Sequence, residues 1–226
     1  MGFGEWRRFK VGIARSNLGR SEKGFDVQIN TIDELRRLIP EPHPLVAAKI
    51  VDHIDAQASA FISLSPLVVL STSGAGGVEL SPKGDDPGFV KVADDRTLII
   101  PERPGNRMAL GLLNILENPA VGLAFFLPGT EEVLRVIGRA ALWNDVHLNE
   151  DLAARNRPAL LTIKVAVEKA YFHCARPIKR SRLWDPTSWT EPMAISFREV
   201  LKANVPEDVI EARLAEQART ENYREL

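Results

Sequence analysis

Between Pro66 and Cys174 the sequence is a series of short, apolar, β-rich stretches joined mostly by turn-sized links. They are PLVVLST (Pro66 to Thr72), VEL (Val78 to Leu80), FVKVA (Phe89 to Ala93), TLIIP (Thr97 to Pro101), AVGLAFFL (Ala120 to Leu127), Val133 to Leu142, and Leu161 to Cys174. LRVIGRA (Leu134 to Ala140) and much of LTIKVAVEKAYFH alternate with period two, the mark of a strand with one buried face. Only one clear helix interrupts the series. Pro104 suits its first turn, and it continues to about Glu117, burying Leu110, Leu113, Ile115 and Leu116. Asn118-Pro119 stops it. A doubly wound sheet needs a helix after nearly every strand. The pattern therefore predicts a mainly β fold with added helices, closed as an antiparallel barrel.

The flanks read differently. Thr31 to Ile39 is expected as a short helix, with Thr31 and Glu34 forming a capping box. EPHP (Glu41 to Pro44) breaks the chain, since a residue before proline avoids helix. A second helix is expected over Pro44 to Ala56, burying Leu45, Ile50, Val51 and Ile54. After Pro177 come basic residues, Trp184 and Trp189, and two further helices. The last starts near Pro206 and carries Val209, Ile210 and Leu214. The expected organisation is an N-terminal tail (1–30), a barrel domain with its N-terminal helices (31–190) and a C-terminal helical extension (191–226).

The bulk numbers exclude several classes. A net charge of −1 over 226 residues leaves no basic footprint for nucleic acid. No apolar run reaches membrane-spanning length. The basic N-terminus lacks the apolar core of a secretory signal. The single cysteine, Cys174, excludes an intrachain disulfide and fits a reducing, cytoplasmic setting.

Two loops carry the candidate chemistry. SPKGDDPG (Ser81 to Gly88) ends a strand with Ser81 and Lys83, and its glycine and proline shape a loop that a ligand can approach closely. IPERPGNR (Ile100 to Arg107) runs into the inserted helix, so Asn106 and Arg107 fall in its opening turn. There, free N–H groups and the helix dipole favour an anion. Arg107 adds a forked donor suited to phosphate oxygens, with Arg103 just outside. The same residues could equally cap a surface helix, and Lys83 could be a solvated lysine on a polar turn. GAGG (Gly74 to Gly77) lacks dinucleotide-binding spacing. His43, His53, His147 and His173 show no metal-ligand spacing with one another or with Cys174. His173 and Cys174 are adjacent on a strand and face opposite ways, which argues against a nucleophilic pair. Asp85 and Asp86 are expected to shape their turn.

At these loops the sequence resembles the pyridoxamine 5′-phosphate oxidase-like flavoproteins, and most nearly a bacterial FMN-dependent subgroup of that split-barrel superfamily. The matching stretches are FISLSPLVVLSTS, SPKGDDPGFVKV, LIIPERPGNR, NILENPAVGLAFFLPG, LRVIGRA and FHCARPIKRSRLWDP, in that order. The resemblance implies a six-stranded antiparallel split β-barrel that forms a homodimer, with FMN in grooves between subunits. It implies that Val78, Glu79, Leu80, Ser81 and Lys83, with Ile100 and Pro101, line the ring and ribityl chain. Asn106 and Arg107 would meet the phosphate, with Lys83 and Arg103 nearby. Arg180, Ser181 and Trp184 of the other subunit would complete the site. It implies an FMN-dependent oxidase or reductase for a small organic substrate. A flavin-binding or sensor protein without turnover is the alternative, as is a split barrel using haem or a deazaflavin. The sequence departs from the vitamin-processing oxidase in two places: no lysine follows Arg107, and the C-terminal motif reads KRSRLWDP.

Overall fold

The computed structural model describes residues 28–219, so most of the expected N-terminal tail lies outside the described residues. Seven strands form one sheet: β1 (Leu67–Gly74), β2 (Gly77–Gly84), β3 (Lys91–Asp94), β4 (Thr97–Glu102), β5 (Ala120–Phe126), β6 (Val133–Trp143) and β7 (Leu161–His173). Their spatial order is β2-β1-β5-β6-β7-β4-β3, and every pairing is antiparallel. This is the expected split-barrel architecture with one correction. The resemblance implied six strands, and the short edge strand β3 brings the number to seven.

Alternation sets which side chains turn inward. Val68, Leu70, Leu98, Ile100, Phe125, Leu134, Val136, Ile163 and Val165 have no exposed surface and form the barrel core. A register shift in the β6–β7 pairing at Ile137/Gly138 bends these two long strands. A Cβ at Gly138 would lie 2.1 Å from the Ala166 carbonyl oxygen, so only glycine fits there.

The helices follow expectation less closely. α1 (Ile32–Leu38) forms as expected: Thr31 Oγ1 accepts from the Glu34 N–H at 3.2 Å, and Glu34 Oε2 accepts from the Thr31 N–H at 3.0 Å. The second helix is displaced. α2 covers only Pro44–Ala47, and the substantial helix is α3 (Ala56–Leu64). Asp55 caps α3 by accepting from the Ala58 N–H at 2.7 Å. Ala58, Phe61 and Ile62 of α3 are buried, whereas Leu45 and Ile50 are exposed. The ring of Phe61 packs edge-on against Phe172 at 5.4 Å. Val51 bridges Ala170 on β7, which ties the preceding segment to the barrel.

α4 (Leu110–Glu117) packs on β1, β2 and β6. α5 (Val146–Asp151) lies in the β6–β7 connection, and α6 (Arg176–Ser181) follows β7. The described chain forms two compact units, one ending at Trp184 and the other beginning at Asp185. The second holds a 3-10 turn (Pro186–Ser188), α7 (Phe197–Leu201) and α8 (Glu207–Arg219). Within it, Arg198 pairs with Glu207 and with Glu211. No helix among the described residues is long and apolar enough to cross a membrane.

Candidate functional site

The site is built around the connection from β4 to α4. The sequence predicts a helix from Pro104, but α4 begins at Leu110. The reason lies in the backbone. Arg107 has φ 62° and Ala109 φ 53°, a left-handed conformation that a right-handed helix cannot continue through. Asn106 and Arg107 therefore sit in a loop ahead of the helix and not in its first turn. Asn106 Oδ1 accepts from the Met108 N–H at 3.0 Å. No side chain caps α4, so its N-terminal N–H groups and positive dipole end stay available to an anion.

Both ends of this loop are fixed against β2. At the α4 end, a Cβ on Gly111 would lie 3.5 Å from Thr72 Oγ1 and 3.9 Å from Ser81 Cβ, so the first turn of α4 rests on Thr72 and Ser81. Asn114, which is buried, donates from Nδ2 to Thr72 Oγ1 and to the Gly77 carbonyl, each at 3.3 Å. Glu117 Oε2 accepts from the Ala75 N–H at 2.8 Å. These bonds fasten α4 to the β1–β2 hairpin.

At the β4 end, Lys83 Nζ pairs with Glu102 Oε2 at 2.5 Å, and the two side chains are 11% and 19% exposed. Arg103 Nε pairs with Asp85 Oδ2 at 2.8 Å and Nη1 donates to the Leu152 carbonyl at 2.7 Å. β2 is one edge of the hydrogen-bonded sheet, and β4 lies at the other side beside β3. Two ion pairs thus join the ends of strands that share no backbone ladder, and the open seam of the barrel is clasped there.

The strand period sorts the predicted residues on β2. Glu79, Ser81 and Lys83 are half-buried on one face, while Val78 and Leu80 are exposed on the other. Ile100 and Pro101 are buried; Ile100 has no exposed surface and serves the core. Arg107 is exposed, and its guanidinium makes no hydrogen bond or ion pair among the described residues. Ser81, Lys83, Arg103, Asn106 and Arg107 are therefore gathered along one loop and one strand. Among the described residues, no hydrogen bond or ion pair joins Arg180, Ser181 or Trp184 to that loop. Ser181 Oγ donates to the Ile178 carbonyl at 3.0 Å and Trp184 Nε1 to the Thr130 carbonyl at 2.8 Å.

Two features escaped the sequence reading. Glu102 and Asp85 are the partners of the cations, and no local signal marks pairs that lie 19 and 18 residues apart. The expected burial of Leu110, Leu113 and Leu116 also fails: only Ile115 of that set is buried. The exposed leucines, with Met108, Val78 and Leu80, leave α4 and the outer face of β2 apolar at the surface.

The sequence matches the pyridoxamine 5′-phosphate oxidase family over residues 54–174, which spans β1 to β7 and the whole loop. No protein of curated function matches it. Among solved structures, the HupZ protein of Group A Streptococcus is 19% identical, with 53% of this chain and 93% of that one aligned at a TM-score of 0.43. General Stress Protein 26 of Bacillus anthracis is 18% identical, with 50% and 88% aligned at 0.39. An FMN-binding protein of Syntrophomonas wolfei is 12% identical, with 51% and 82% aligned at 0.41.

Proposed function

We propose, from the premise that the chain belongs to the pyridoxamine 5′-phosphate oxidase family, that it is a flavoprotein which binds FMN in the β4–α4 loop and acts as an oxidase or reductase on a small organic substrate. The observation that carries this is the backbone of the loop. Two non-glycine residues, Arg107 and Ala109, hold left-handed conformations immediately before a helix with no side-chain cap. Such strain persists where the surroundings enforce it, and it clusters at ligand sites. Here it leads from Arg107 directly into a helix whose first turn rests on Ser81 of β2.

The residues present fit a phosphate-bearing cofactor. Arg107 is a forked donor without a competing partner among the described residues, and it precedes an uncapped helix N-terminus. Asn106 shapes the loop through its bond to Met108. Ser81 lies against the first turn of α4 and offers a hydroxyl. Lys83 and Arg103 supply further positive charge, each beside a carboxylate. FMN, once bound, supplies the redox chemistry. The chain's own residues then grip its phosphate, orient it along β2 and exclude water from the groove.

The proposed assembly is a homodimer. In one chain Lys83 and Arg103 are each paired with a carboxylate, Glu102 and Asp85, which leaves Arg107 to meet a phosphate that carries nearly two negative charges. A second subunit bringing Arg180 would supply the difference. Met108, Leu110, Leu113 and Leu116 are large apolar side chains exposed along α4 and just ahead of it, the kind of surface that marks an interface.

The test is direct. The purified protein is expected to be yellow or to take up added FMN with saturable quenching of flavin fluorescence. A colourless protein that leaves FMN fluorescence unchanged would remove the proposal. Reduction of the bound flavin by a nicotinamide nucleotide and reoxidation by an acceptor separates an oxidoreductase from a flavin-binding protein without turnover.

A further inference from the structure

The Lys83–Glu102 pair has features that seam closure alone does not require. Arg103 already ties the same strand ends, and it is anchored twice, to Asp85 and to the Leu152 carbonyl. Lys83 has one partner among the described residues, Glu102. An ammonium has three donors, so two remain unused on a side chain that is 11% exposed. Glu102 is also the last residue of β4 and the first step into the loop that carries Arg107. A phosphate reaching that loop meets a lysine whose near acceptor is a carboxylate.

We propose that Glu102 is the specificity-determining residue of this site: its carboxylate occupies Lys83 in place of a phosphate, and exchange between the two sets how strongly a phosphorylated flavin is preferred over an unphosphorylated one. The inference rests on the FMN reading above. Two physical effects act together. Phosphate must draw Lys83 away from a short, poorly hydrated ion pair, which costs more than recruiting a solvated lysine. Glu102 also stays close to the incoming phosphate, and like charges brought together in a partly buried site repel. Asp85 does not share this role, because Arg103 keeps its bond to the Leu152 carbonyl whatever its carboxylate partner does.

The experiment compares wild type and Glu102→Gln in fluorescence titrations with FMN and with riboflavin, on the full chain at one salt concentration. Glutamine keeps the length and a carbonyl acceptor for Lys83 but removes the charge. The expected result is FMN binding about tenfold tighter and riboflavin binding unchanged, so the FMN-to-riboflavin preference rises about tenfold. An unchanged or reduced preference in a folded variant overturns the proposal, as does tighter binding of both flavins by the same factor. Thermal unfolding without ligand shows whether the variant folds. If it does not, the double variant Lys83→Gln with Glu102→Gln keeps the seam neutral. It is expected to lose at least part of the wild-type preference for FMN, because Lys83 can no longer turn to phosphate. A preference equal to wild type would make the pair a structural strut and overturn the role. A wild-type protein that binds neither flavin overturns the FMN reading itself, and this inference with it. Wild type that binds FMN while Glu102→Gln leaves the preference unmoved overturns this inference alone.

Discussion

Replacing Arg107 by glycine separates the cost of the loop's conformation from the benefit of the cation it presents. Arg107 holds φ 62°, and a non-glycine residue in that region is strained by about 1–2 kcal/mol. Glycine removes the strain but widens the unfolded ensemble, which returns about 0.5–1 kcal/mol. The side chain is exposed and makes no bond among the described residues, so no folded-state contact is lost. The net is a gain of about 0–1.5 kcal/mol, or a rise in melting temperature of roughly 0–6 °C for a chain of this size. Binding moves the other way. One charge-assisted hydrogen-bonding group contributes about 1.5–3 kcal/mol, so FMN affinity should fall roughly 10- to 150-fold. Thermal unfolding without flavin reads the first effect, and fluorescence titration reads the second. Arg107→Ala is the control: it loses the cation and retains the strain, so affinity should fall equally with no gain in stability. A melting temperature that drops in Arg107→Gly would show that the side chain supports the fold. Unchanged FMN affinity would refute its role at the phosphate.

Further outcomes follow from the packing. Gly138→Ala drives a Cβ to 2.1 Å from the Ala166 carbonyl oxygen, a backbone atom that cannot step aside, so it should cost about 1–3 kcal/mol or more and lower the urea midpoint. Asn114→Ala removes both bonds from α4 to Thr72 and Gly77; a loss of about 1–3 kcal/mol is expected, measured by denaturant unfolding, with FMN affinity falling as α4 loosens. Leu113→Glu places a charge on the exposed apolar face of α4 and should convert the proposed dimer to monomer in light scattering; a dimer that persists would move the interface elsewhere. Hydrogen bonds from the Arg96 guanidinium, the larger cause, and from the His53 ring lower the Asp52 carboxyl from an ordinary 3.8 to about 2. A depressed native value means that the pair's contribution is complete above pH 3.8 and disappears as pH falls through about 2. Carbon-13 NMR should find the Asp52 midpoint near 2 in wild type and raised in Arg96→Ala, but still below 3.8 because the bond to His53 remains.

What the sequence disclosed tracks how local each determinant is. β6 and β7 alternate over many residues, and hydrogen bonding to both neighbours follows from that period. The Thr31–Glu34 box is complete within four residues and forms as written. The start of α4 was not legible. Pro104 and the apolar residues after it satisfy the local rules for a helix, but nothing in an arginine or an alanine announces a positive φ. The displaced α3 is a related case. Leu45, Ile50, Val51 and Ile54 have helical spacing, yet the helix forms one segment later, where Asp55 caps it and Phe61 and Ile62 find the barrel core. Propensity allowed either place, and burial decided. Arg107 as the cation of the proposed site was named from its residue type. Glu102 as its neighbour's counter-charge was not, because only the curl of the sheet brings β2 and β4 together.

The same curl explains why backbone strain and paired charge meet at one place. A seven-stranded sheet whose outer members do not pair leaves two strand edges to be satisfied. Along a ladder, backbone bonds would satisfy them and no ligand could enter. At the ends of β2 and β4 the work falls instead to side chains, Lys83 with Glu102 and Asp85 with Arg103. Side-chain pairs can exchange partners, whereas a backbone ladder must break. That is what would let the proposed site take in an anion at the seam without unfolding a strand. The left-handed loop follows from the same geometry. The chain must leave β4 beside the clasp and enter α4 over Ser81, and the reversal at Arg107 and Ala109 achieves this within the seven residues from Arg103 to Ala109. Changes that close the seam with neutral, well-packed side chains should therefore stabilise the free protein while weakening its hold on a phosphate. The double replacement of Lys83 and Glu102 by methionine is the sharpest case: its melting temperature without ligand should equal or exceed wild type, and the FMN-induced rise should shrink. A variant that melts lower without ligand but keeps the full FMN-induced rise would show that the clasp belongs to the fold and not to the site.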